Sequence, residues 1–324
     1  MPYQPPYTIT SKILSLVAQI SEAVAGVNLV EIQNSPMLRR QNRIKTITGT
    51  LAIEGNTLNL DQVSAIIEGK PVRGSQKEIA EVRGAIKAYE ALAQYQAHSM
   101  DDLLGAHQKM TEEILPDAGR FRINNVGVHK GGKVIHVAPQ ADRVKALMKE
   151  LLCWLKQTDD HPLIRSCVFH YEFEFIHPFS DGNGRMGRLW QTLILGQWRE
   201  LFYSLPIENT IKNNQKAYYS ALVSADDNAD STVFIEFMLR IILASIETSD
   251  PVTDPVTDPV GKLLSVMGDG YLSSAQIMAK VGLSHKPTFR KNYLLPALKQ
   301  GVISMSYPDI PNSPKQKYKK KLNT

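Results

Sequence analysis

The sequence contains only two cysteines in 324 residues, Cys153 and Cys167. Two thiols cannot supply the disulfide framework of a small secreted protein, and these two do not form a CxxC pair. Both lie in apolar helical patterns, so we expect two buried thiols. The eight histidines include no HExxH or similar spacing, which excludes the common helical zinc motifs.

Long uncharged apolar runs are also absent. No stretch is long enough to cross a bilayer as a helix, and the first residues, MPYQPPYTIT, lack the charged and apolar regions of a signal peptide. We therefore expect no membrane partner and a cytoplasmic location. With 43% hydrophobic residues, the chain can bury one large core and build a smaller satellite domain.

Helical periodicity dominates most of the chain. Apolar residues recur at helical spacing after Ser11, which can cap a helix through Ile13, Val17 and Ile20. Strand signals are confined mostly to one short segment, so the pattern indicates a mainly α fold with one hairpin. Similar periodicity predicts further helices over residues 60–69, 76–97, 101–114, 141–157, 163–176, 185–200, 212–226 and 231–247.

A proline-rich segment divides the chain. The repeated Pro-Val-Thr-Asp over residues 249–260 cannot form a helix, because each proline removes a hydrogen-bond donor and extends the residue before it. We expect a semi-rigid linker. Residues 261–324 carry 11 Lys and Arg against 2 acidic residues, a net of +9, whereas residues 1–260 carry 26 against 30, a net of −4. The positive charge of the chain therefore comes from its C-terminal part.

The densest chemical signal spans residues 177–188, His-Pro-Phe-Ser-Asp-Gly-Asn-Gly-Arg-Met-Gly-Arg. Apolar helical patterns precede and follow it, so we predict a loop that opens a helix. Gly182 and Gly184 can direct successive N–H groups into one concavity at the positive end of that helix. Because His177, Asp181 and two arginines accompany them, the stretch predicts an anion pocket suited to phosphates. The alternative is a charged glycine turn between two helices.

The same stretch resembles the HxFx(D/E)GNGRxxR signature of the Fic family, and every fixed position of that signature is matched. Members of this family mostly transfer AMP from ATP to a hydroxyl group of a target protein. The resemblance implies a Fic-fold helical bundle with a β-hairpin flap. Residues 1–100 would form an N-terminal helical region with an inhibitory motif, and residues 101–248 the catalytic core.

The roles that the resemblance implies agree with the chemistry of each side chain. His177, with an unperturbed pKa of about 6.5, would take the proton from a Ser, Thr or Tyr hydroxyl of the target. Asp181 offers a hard oxygen ligand for Mg²⁺ as pyrophosphate leaves. Asn183 and nearby N–H groups would hold the α-phosphate, Arg185 the β-phosphate and Arg188 the γ-phosphate. The whole phosphate-binding stretch comprises Asp181, Gly182, Asn183, Gly184, Arg185, Met186, Gly187 and Arg188.

An upstream segment, Thr50-Leu51-Ala52-Ile53-Glu54-Gly55-Asn56, resembles the (S/T)xxxE(G/N) motif of Fic proteins that are inhibited by an N-terminal helix. By that resemblance Glu54 pairs with Arg188 and denies the γ-phosphate its partner, so that ATP would bind unproductively. The alternative is a helix C-terminus capped by Gly55. A carboxylate here could also orient a water, which leaves removal of AMP from a modified target open.

Residues 125–139 have short β-rich runs on either side of a Gly-Gly turn, which is typical of a hairpin. The segment resembles the target-docking flap of Fic proteins. By that comparison Lys133, Val134, Ile135 and His136 approach ATP, and the strand edge pairs with the backbone of the target. An ordinary surface hairpin is the alternative.

A later helical stretch, residues 216–222, resembles the helix that closes over the adenine. It offers Tyr218 and Tyr219 for stacking or ribose contacts, and Asp226 follows it as a contact for the base. Tyrosines on an apolar helix can equally be core residues.

Residues 261–324 are predicted to form three short helices and a terminal hairpin, and they resemble the winged helix attached to many bacterial Fic proteins. Their charge favours DNA binding through phosphate contacts, with His285, Lys286, Arg290 and Lys291 as candidates. A protein partner or a solvated tail is the alternative. The family resemblance also allows a homodimer.

The function that the sequence favours is transfer of AMP from ATP to a protein hydroxyl, restrained by Glu54. Transfer of another nucleotide-derived group, such as phosphate or phosphocholine, is one alternative. A DNA-bound regulator that senses nucleotide is another. The kinase-like relatives depart from GNGR at the second glycine, whereas Gly184 is retained in this chain.

Overall fold

The computed structural model describes residues 3–26, 36–130, 133–249, 259–268, 270–283, 286–308, 313 and 316–321. The chain divides into two compact units, residues 1–249 and 250–324. Each unit has its own hydrophobic core. Most of the predicted linker, residues 250–258, lies outside the described residues.

The first unit is built from helices and one hairpin, as the periodicity predicts. Its helices are α1 (Ser11–Gly26), α2 (Pro36–Ile53), α3 (Leu60–Ile67), α4 (Gln76–Glu90), α5 (Met100–Thr111), α6 (Ala141–Gln157), α7 (Pro162–Ile176), α8 (Asn183–Trp198), α9 (Ile207–Asn213), α10 (Gln215–Asn228) and α11 (Thr232–Ser249).

The predicted hairpin is present between α5 and α6. Strands β1 (Gly127–Lys130) and β2 (Lys133–Val137) are antiparallel, and their register shifts once between Val128 and His129. The side chains of Lys133 to His136, which were expected to approach ATP, lie outside the described part of the structure.

Helices α7 and α8 form the centre of the first unit. Both helices are buried on almost every face, as their apolar residues on all sides require. Phe169, Phe173 and Leu193 are fully buried. Since α7 and α8 pack against each other, the loop between them, residues 177–182, is fixed at both ends.

The N-terminal helices surround this centre. The predicted helix after Ser11 is α1, which packs along α11 and buries Ile13, Ile20 and Val24. Helix α2, which carries the residues of the upstream motif, packs against α9. The end of α2 is thereby placed beside the first turn of α8.

Two sequence predictions are wrong in detail. The helix predicted over residues 76–97 ends at Glu90, and the chain tightens into a 3₁₀ turn over Leu92–Gln94 whose following carbonyls are bound by side chains of α8. Trp190 Nε1 donates to the Ala97 carbonyl at 2.8 Å, and Gln197 Nε2 to the Tyr95 carbonyl at 2.9 Å. Cys153 is exposed rather than buried, since it lies on the solvent face of α6.

The second unit has the predicted order of short helices and a C-terminal sheet. Its three strands are antiparallel with β5 in the middle, and Leu263, Ile277 and Phe289 form its core. The winged-helix pattern is confirmed, with one more strand than expected. The elements are α12 (Pro259–Val266), β3 (Leu272–Ser273), α13 (Ser274–Val281), α14 (Lys286–Phe289), a π-turn (Arg290–Leu294), α15 (Leu295–Lys299), β4 (Ile303–Met305) and β5 (Lys317–Lys320).

In the described part of the chain, no helix combines the length and the apolar character that a bilayer span requires.

The buried indole of Trp190 gives a test of this packing. We expect Trp190→Phe to lower the free energy of unfolding by about 1–3 kcal/mol, because the Ala97 carbonyl loses its buried donor. The matched change Trp198→Phe, on a partly exposed ring of the same helix, should have a clearly smaller effect. Urea unfolding curves of the two variants measure the difference, and equal losses would contradict the proposed packing.

Candidate active site

The loop after α7 begins with a backbone conformation that is uncommon for histidine. His177 closes α7 in the left-handed region, with φ 49° and ψ 61°, and its N–H donates to the Phe173 carbonyl at 3.0 Å. A non-glycine residue in this region needs support from its surroundings. The half-buried imidazole is thereby held at the end of a fixed helix.

That support comes from Arg122, which the sequence analysis missed. Among the described residues, the acceptors of its buried guanidinium are backbone carbonyls: Nε donates to the His177 carbonyl at 2.7 Å, and Nη2 to the Ile176 carbonyl at 3.3 Å. Nη1 of the same guanidinium donates to the Asn124 carbonyl at 2.9 Å and Nη2 to the Pro139 carbonyl at 2.5 Å, and these two residues flank the hairpin. One cation therefore ties the end of α7 to the base of the hairpin.

A second missed residue, His107, lies under the loop. Its ring stacks on Phe179 with centroids 3.6 Å apart, and burial lowers its pKa to about 4, so the ring is neutral at pH 7. Nδ1 accepts the N–H of Gly119 at 2.9 Å. Nε2 therefore carries the proton and donates to the Asp181 carbonyl at 3.1 Å.

Asn183 closes the loop on itself. Its side-chain oxygen accepts the Phe179 N–H and its amide group donates to the Phe179 carbonyl, both at 2.9 Å. The side chain that was expected at the α-phosphate is therefore committed to the loop backbone. Gly182, the residue before it, has φ 84°, a conformation that favours glycine.

Asp181 and Arg185 face each other at the start of α8. Oδ1 of the half-exposed Asp181 accepts the Gly182 N–H at 2.6 Å and lies 3.3 Å from Arg185 Nη2. Arg185 is 2% exposed, and Glu81 Oε1 is 3.8 Å from its Nη1. Within the described residues, Nε and Nη1 of Arg185 have no hydrogen-bond partner. A buried guanidinium whose N–H groups are not all hydrogen-bonded can bind an incoming anion.

Arg188 lies one turn later and is held by α2. The residue is 1% exposed; its Nε donates to the Thr50 hydroxyl and its Nη2 to the Thr50 carbonyl, each at 3.0 Å. Nη2 also pairs with Glu54 Oε1 at 2.7 Å, as the upstream motif predicts. Burial alone would lower the pKa of this guanidinium, but the carboxylate of Glu54 keeps it above its ordinary value.

The carboxylate of Glu54 lies over the first turn of α8. A Cβ atom placed on Gly184 would be 2.3 Å from Glu54 Oε1 and 3.0 Å from Arg188 Nη1, so only glycine allows this approach. The N-terminal turn of a helix attracts anions. Glu54 therefore occupies the place where the sequence predicts phosphate.

The end of α2 is held by three side chains, of which the sequence analysis named only Tyr219. Lys212 Nζ donates to the Ala52 carbonyl at 2.9 Å, Gln215 Nε2 to the Ile53 carbonyl at 2.7 Å, and the Tyr219 hydroxyl to the Ile53 carbonyl at 3.3 Å. We call these three residues the α2 clamp. Gly55, at φ 92°, follows the end of α2. The sequence offered two interpretations of this segment, a helix end capped by Gly55 and an inhibitory motif with Glu54, and both apply to the same turn.

The other two predicted adenine contacts lie elsewhere. Tyr218 is 1% exposed, and its hydroxyl lies 3.0 Å from His170 Nε2, so its ring is covered by the core in this conformation. Asp226 accepts a hydrogen bond from the Tyr171 hydroxyl at 2.9 Å. Of the three, Tyr219 is only half-buried, and its hydroxyl donates to the Ile53 carbonyl beside Glu54.

Asp181 is the carboxylate that the sequence predicts for a magnesium ion. In the described ranges, no group of three or more His, Cys, Asp or Glu side chains is arranged to hold a metal. Mg²⁺ commonly binds through one or two carboxylates together with substrate phosphates. The half-exposed Asp181 beside the start of α8 fits that mode of binding.

Comparison with known proteins gives the same assignment as the motif. Residues 97–195 match the Fic/DOC family, and residues 258–320 match the C-terminal domain described as that of filamentation induced by cAMP protein Fic-like. The first match contains the loop and Arg122. The second lies in the basic C-terminal unit.

The chain is similar over almost its full length to the crystal structure of a Fic family protein from Desulfovibrio desulfuricans, with 49% identity, a TM-score of 0.77 and coverage of 99% of both chains. The structure of Fic-1 (residues 134–508) from Caenorhabditis elegans aligns with 26% identity and a TM-score of 0.60, over 74% of this chain and 70% of that one.

Curated relatives are named protein adenylyltransferases. The protein adenylyltransferase fic-1 of Caenorhabditis elegans is 32% identical over 59% of this chain and 39% of its own length. Protein adenylyltransferase Fic of Nematostella vectensis is 34% identical over 44% of this chain and 35% of its own length. The chain thus spans less than half of these relatives. Because the chain is similar over its full length to a Fic family protein and its residues 97–195 match the family model, the chain belongs to the Fic/DOC family.

Proposed function

We propose that the protein transfers AMP from ATP to a hydroxyl group of a target protein, releasing pyrophosphate, and that Glu54 restrains this activity. The observation that carries the proposal is the ion pair of Glu54 with Arg188 over the first turn of α8. A carboxylate held by an arginine at a helix N-terminus marks an anion site. The names of the relatives supply the reaction class.

His177 is the proposed general base. The acceptor oxygen loses its proton to the imidazole as it attacks the α-phosphorus, and the bond to the leaving pyrophosphate breaks. The imidazole can be held in place for this step because Arg122 fixes the carbonyls of Ile176 and His177. A positioned base usually contributes about 10²–10⁴-fold to the rate.

The start of α8 is the proposed triphosphate site. The Gly182 N–H is bound by Asp181 Oδ1, so we assign the α-phosphate to the backbone N–H of Gly184 and the outer phosphates to Arg185 and Arg188. Asp181 is the residue that would hold Mg²⁺, and a bound ion would neutralise phosphate charge. Tyr219 is the remaining candidate for a nucleoside contact.

Inhibition follows from competition for Arg188. The γ-phosphate and the Glu54 carboxylate need the same guanidinium, so ATP cannot be bound productively while the ion pair is intact. Since Lys212 and Gln215 hold the carbonyls beside Glu54, the α2 clamp keeps the carboxylate in place. Release of α2 would open the site.

Several finer points stay predictions from the sequence. These are the target protein and its acceptor residue, removal of AMP as the reverse activity, transfer of another group, a DNA-bound regulatory role, self-association, docking of the target on the hairpin edge and a cytoplasmic location.

Removal of the inhibitory carboxylate is the first test. We expect Glu54→Gly to raise transfer of label from ATP marked at the α-phosphorus by about 5- to 150-fold, the range of a typical coupling free energy. Self-labelling and pyrophosphate release provide the readouts. Glu90→Gln, which removes a carboxylate paired with the exposed Arg43, should change nothing. Label that enters from the γ-phosphorus instead would contradict AMP transfer.

Removal of the base is the second test. In the Glu54→Gly background, His177→Ala should lower the rate of transfer by at least about 10²-fold. His98→Ala, at an exposed histidine far along the chain, should keep the full rate. If the His177 variant stays active while folded, as judged by circular dichroism, the imidazole is not the base.

The third test addresses the α2 clamp. Lys212→Met removes the donor to the Ala52 carbonyl, so we expect a few-fold gain in transfer that is smaller than the gain of Glu54→Gly. Lys216→Met, at an exposed lysine of the adjoining helix α10, is the matched control. Equal rates for the two variants would show that Lys212 does not restrain the enzyme.

A further inference from the structure

A carboxylate other than Glu54 faces the arginines of the proposed triphosphate site. Glu81 lies on α4, and its Oε1 is 3.8 Å from Nη1 of Arg185, a residue that is 2% exposed. Within the described residues, neither Nη1 nor Nε of Arg185 has a hydrogen-bond partner. Since 3.8 Å is too long for a hydrogen bond, the contact between the two side chains is electrostatic. Glu81 therefore stabilises the charge of Arg185 without fixing the orientation of its guanidinium.

The carboxylate of Glu81 is held by the turn that follows α2. Its Oε2 accepts a hydrogen bond from Asn56 Nδ2 at 2.9 Å, and only 14% of the Glu81 side chain is exposed. Asn56 is itself buried: its Nδ2 also donates to the Glu78 carbonyl at 3.2 Å, and its Oδ1 accepts the Leu58 N–H at 3.0 Å. Because Asn56 comes two residues after Glu54, a single turn carries one carboxylate and binds the other.

Each arginine of the site therefore faces a carboxylate from the chain before α5. Glu54 pairs with Arg188, and Glu81 lies beside Arg185. We propose that Glu81 is a second inhibitory carboxylate, which weakens binding of the β-phosphate to Arg185. A buried cation interacts strongly with an anion a few ångströms away, so a phosphate gains less from Arg185 while that carboxylate is present. This inference rests on the proposed assignment of Arg185 and Arg188 to the outer phosphates.

The two carboxylates are expected to act on different nucleotides. ATP has both outer phosphates, ADP has the β-phosphate without the γ-phosphate, and AMP has neither. Loss of the charge of Glu81 should therefore tighten the binding of ADP and ATP by a similar factor and leave AMP nearly unchanged. Loss of the charge of Glu54 should act on ATP and hardly on ADP.

Calorimetric titration of AMP, ADP and ATP into the full-length protein tests this difference. Glu81→Gln keeps an oxygen for the Asn56 amide and removes the charge, so we expect it to tighten ADP binding about 5-fold or more. Glu90→Gln is the matched control on the same helix, because Glu90 pairs with the exposed Arg43, and it should change none of the three affinities. In an Arg185→Ala background, the effect of Glu81→Gln on ADP should vanish.

A second variant tests the same contact without loss of charge. Glu81→Asp withdraws the carboxylate from Arg185 by one methylene, so the gain in ADP affinity should have the same sign and be smaller. Thermal melts confirm that each variant is folded. They give an independent readout, since ADP at a fixed concentration should raise the melting temperature of Glu81→Gln more than that of the wild-type protein.

Three results would overturn the role of Glu81 and leave the proposed function intact. The first is an unchanged affinity for ADP in Glu81→Gln. The second is an equal change for AMP and ADP, which would indicate a general effect of charge. The third is weaker binding of ADP, which would mean that the carboxylate assists Arg185. Failure of both ADP and ATP to bind to Glu54→Gln would instead contradict the proposed triphosphate site, and this inference with it.

Discussion

The site depends on the buried guanidinium of Arg188. A fully buried cation is strongly disfavoured unless an anion is near it, and the hydroxyl and carbonyl of Thr50 supply only neutral acceptors. Glu54 satisfies this need in the present conformation. A phosphate can satisfy it equally well, so one electrostatic requirement would account both for the proposed nucleotide binding and for its proposed inhibition.

The residues around Arg188 differ in how firmly they are held. Three side chains hydrogen-bond to the loop from His177 to Gly182. His107 donates to the Asp181 carbonyl, Asn183 accepts the Phe179 N–H, and Arg122 donates to the His177 carbonyl. The hydrogen-bond donors of the loop are therefore oriented before any ligand binds. Glu54 instead lies at the end of α2, whose last carbonyls are bound by the α2 clamp and whose Thr50 is bound by Arg188. Regulation is therefore expected to act on α2 and to leave the loop unchanged.

Local patterns in the sequence predicted much of this. The helices followed from apolar periodicity, and the loop and the pairing of Glu54 with Arg188 followed from motifs. Arg122, His107 and Lys212 were missed because each binds backbone carbonyls, and no side-chain pattern reveals which carbonyls lie within reach. Bonds of the same kind, from Trp190 and Gln197 to the carbonyls of Ala97 and Tyr95, hold the non-helical end of the segment predicted as helix over residues 76–97. For Tyr218 the sequence left both a ligand contact and a core position open, because a tyrosine on an apolar helix looks alike in the two cases, and in this conformation its ring is buried.

Competition between Glu54 and the γ-phosphate is tested most directly by calorimetric titration of ATP and of ADP into the wild-type protein and the Glu54→Gln variant. Since ADP has no γ-phosphate, the substitution should tighten ATP binding markedly and ADP binding little, and this selective gain should vanish when Arg188→Ala is added. Equal changes for the two nucleotides, or no change for either, would contradict the account.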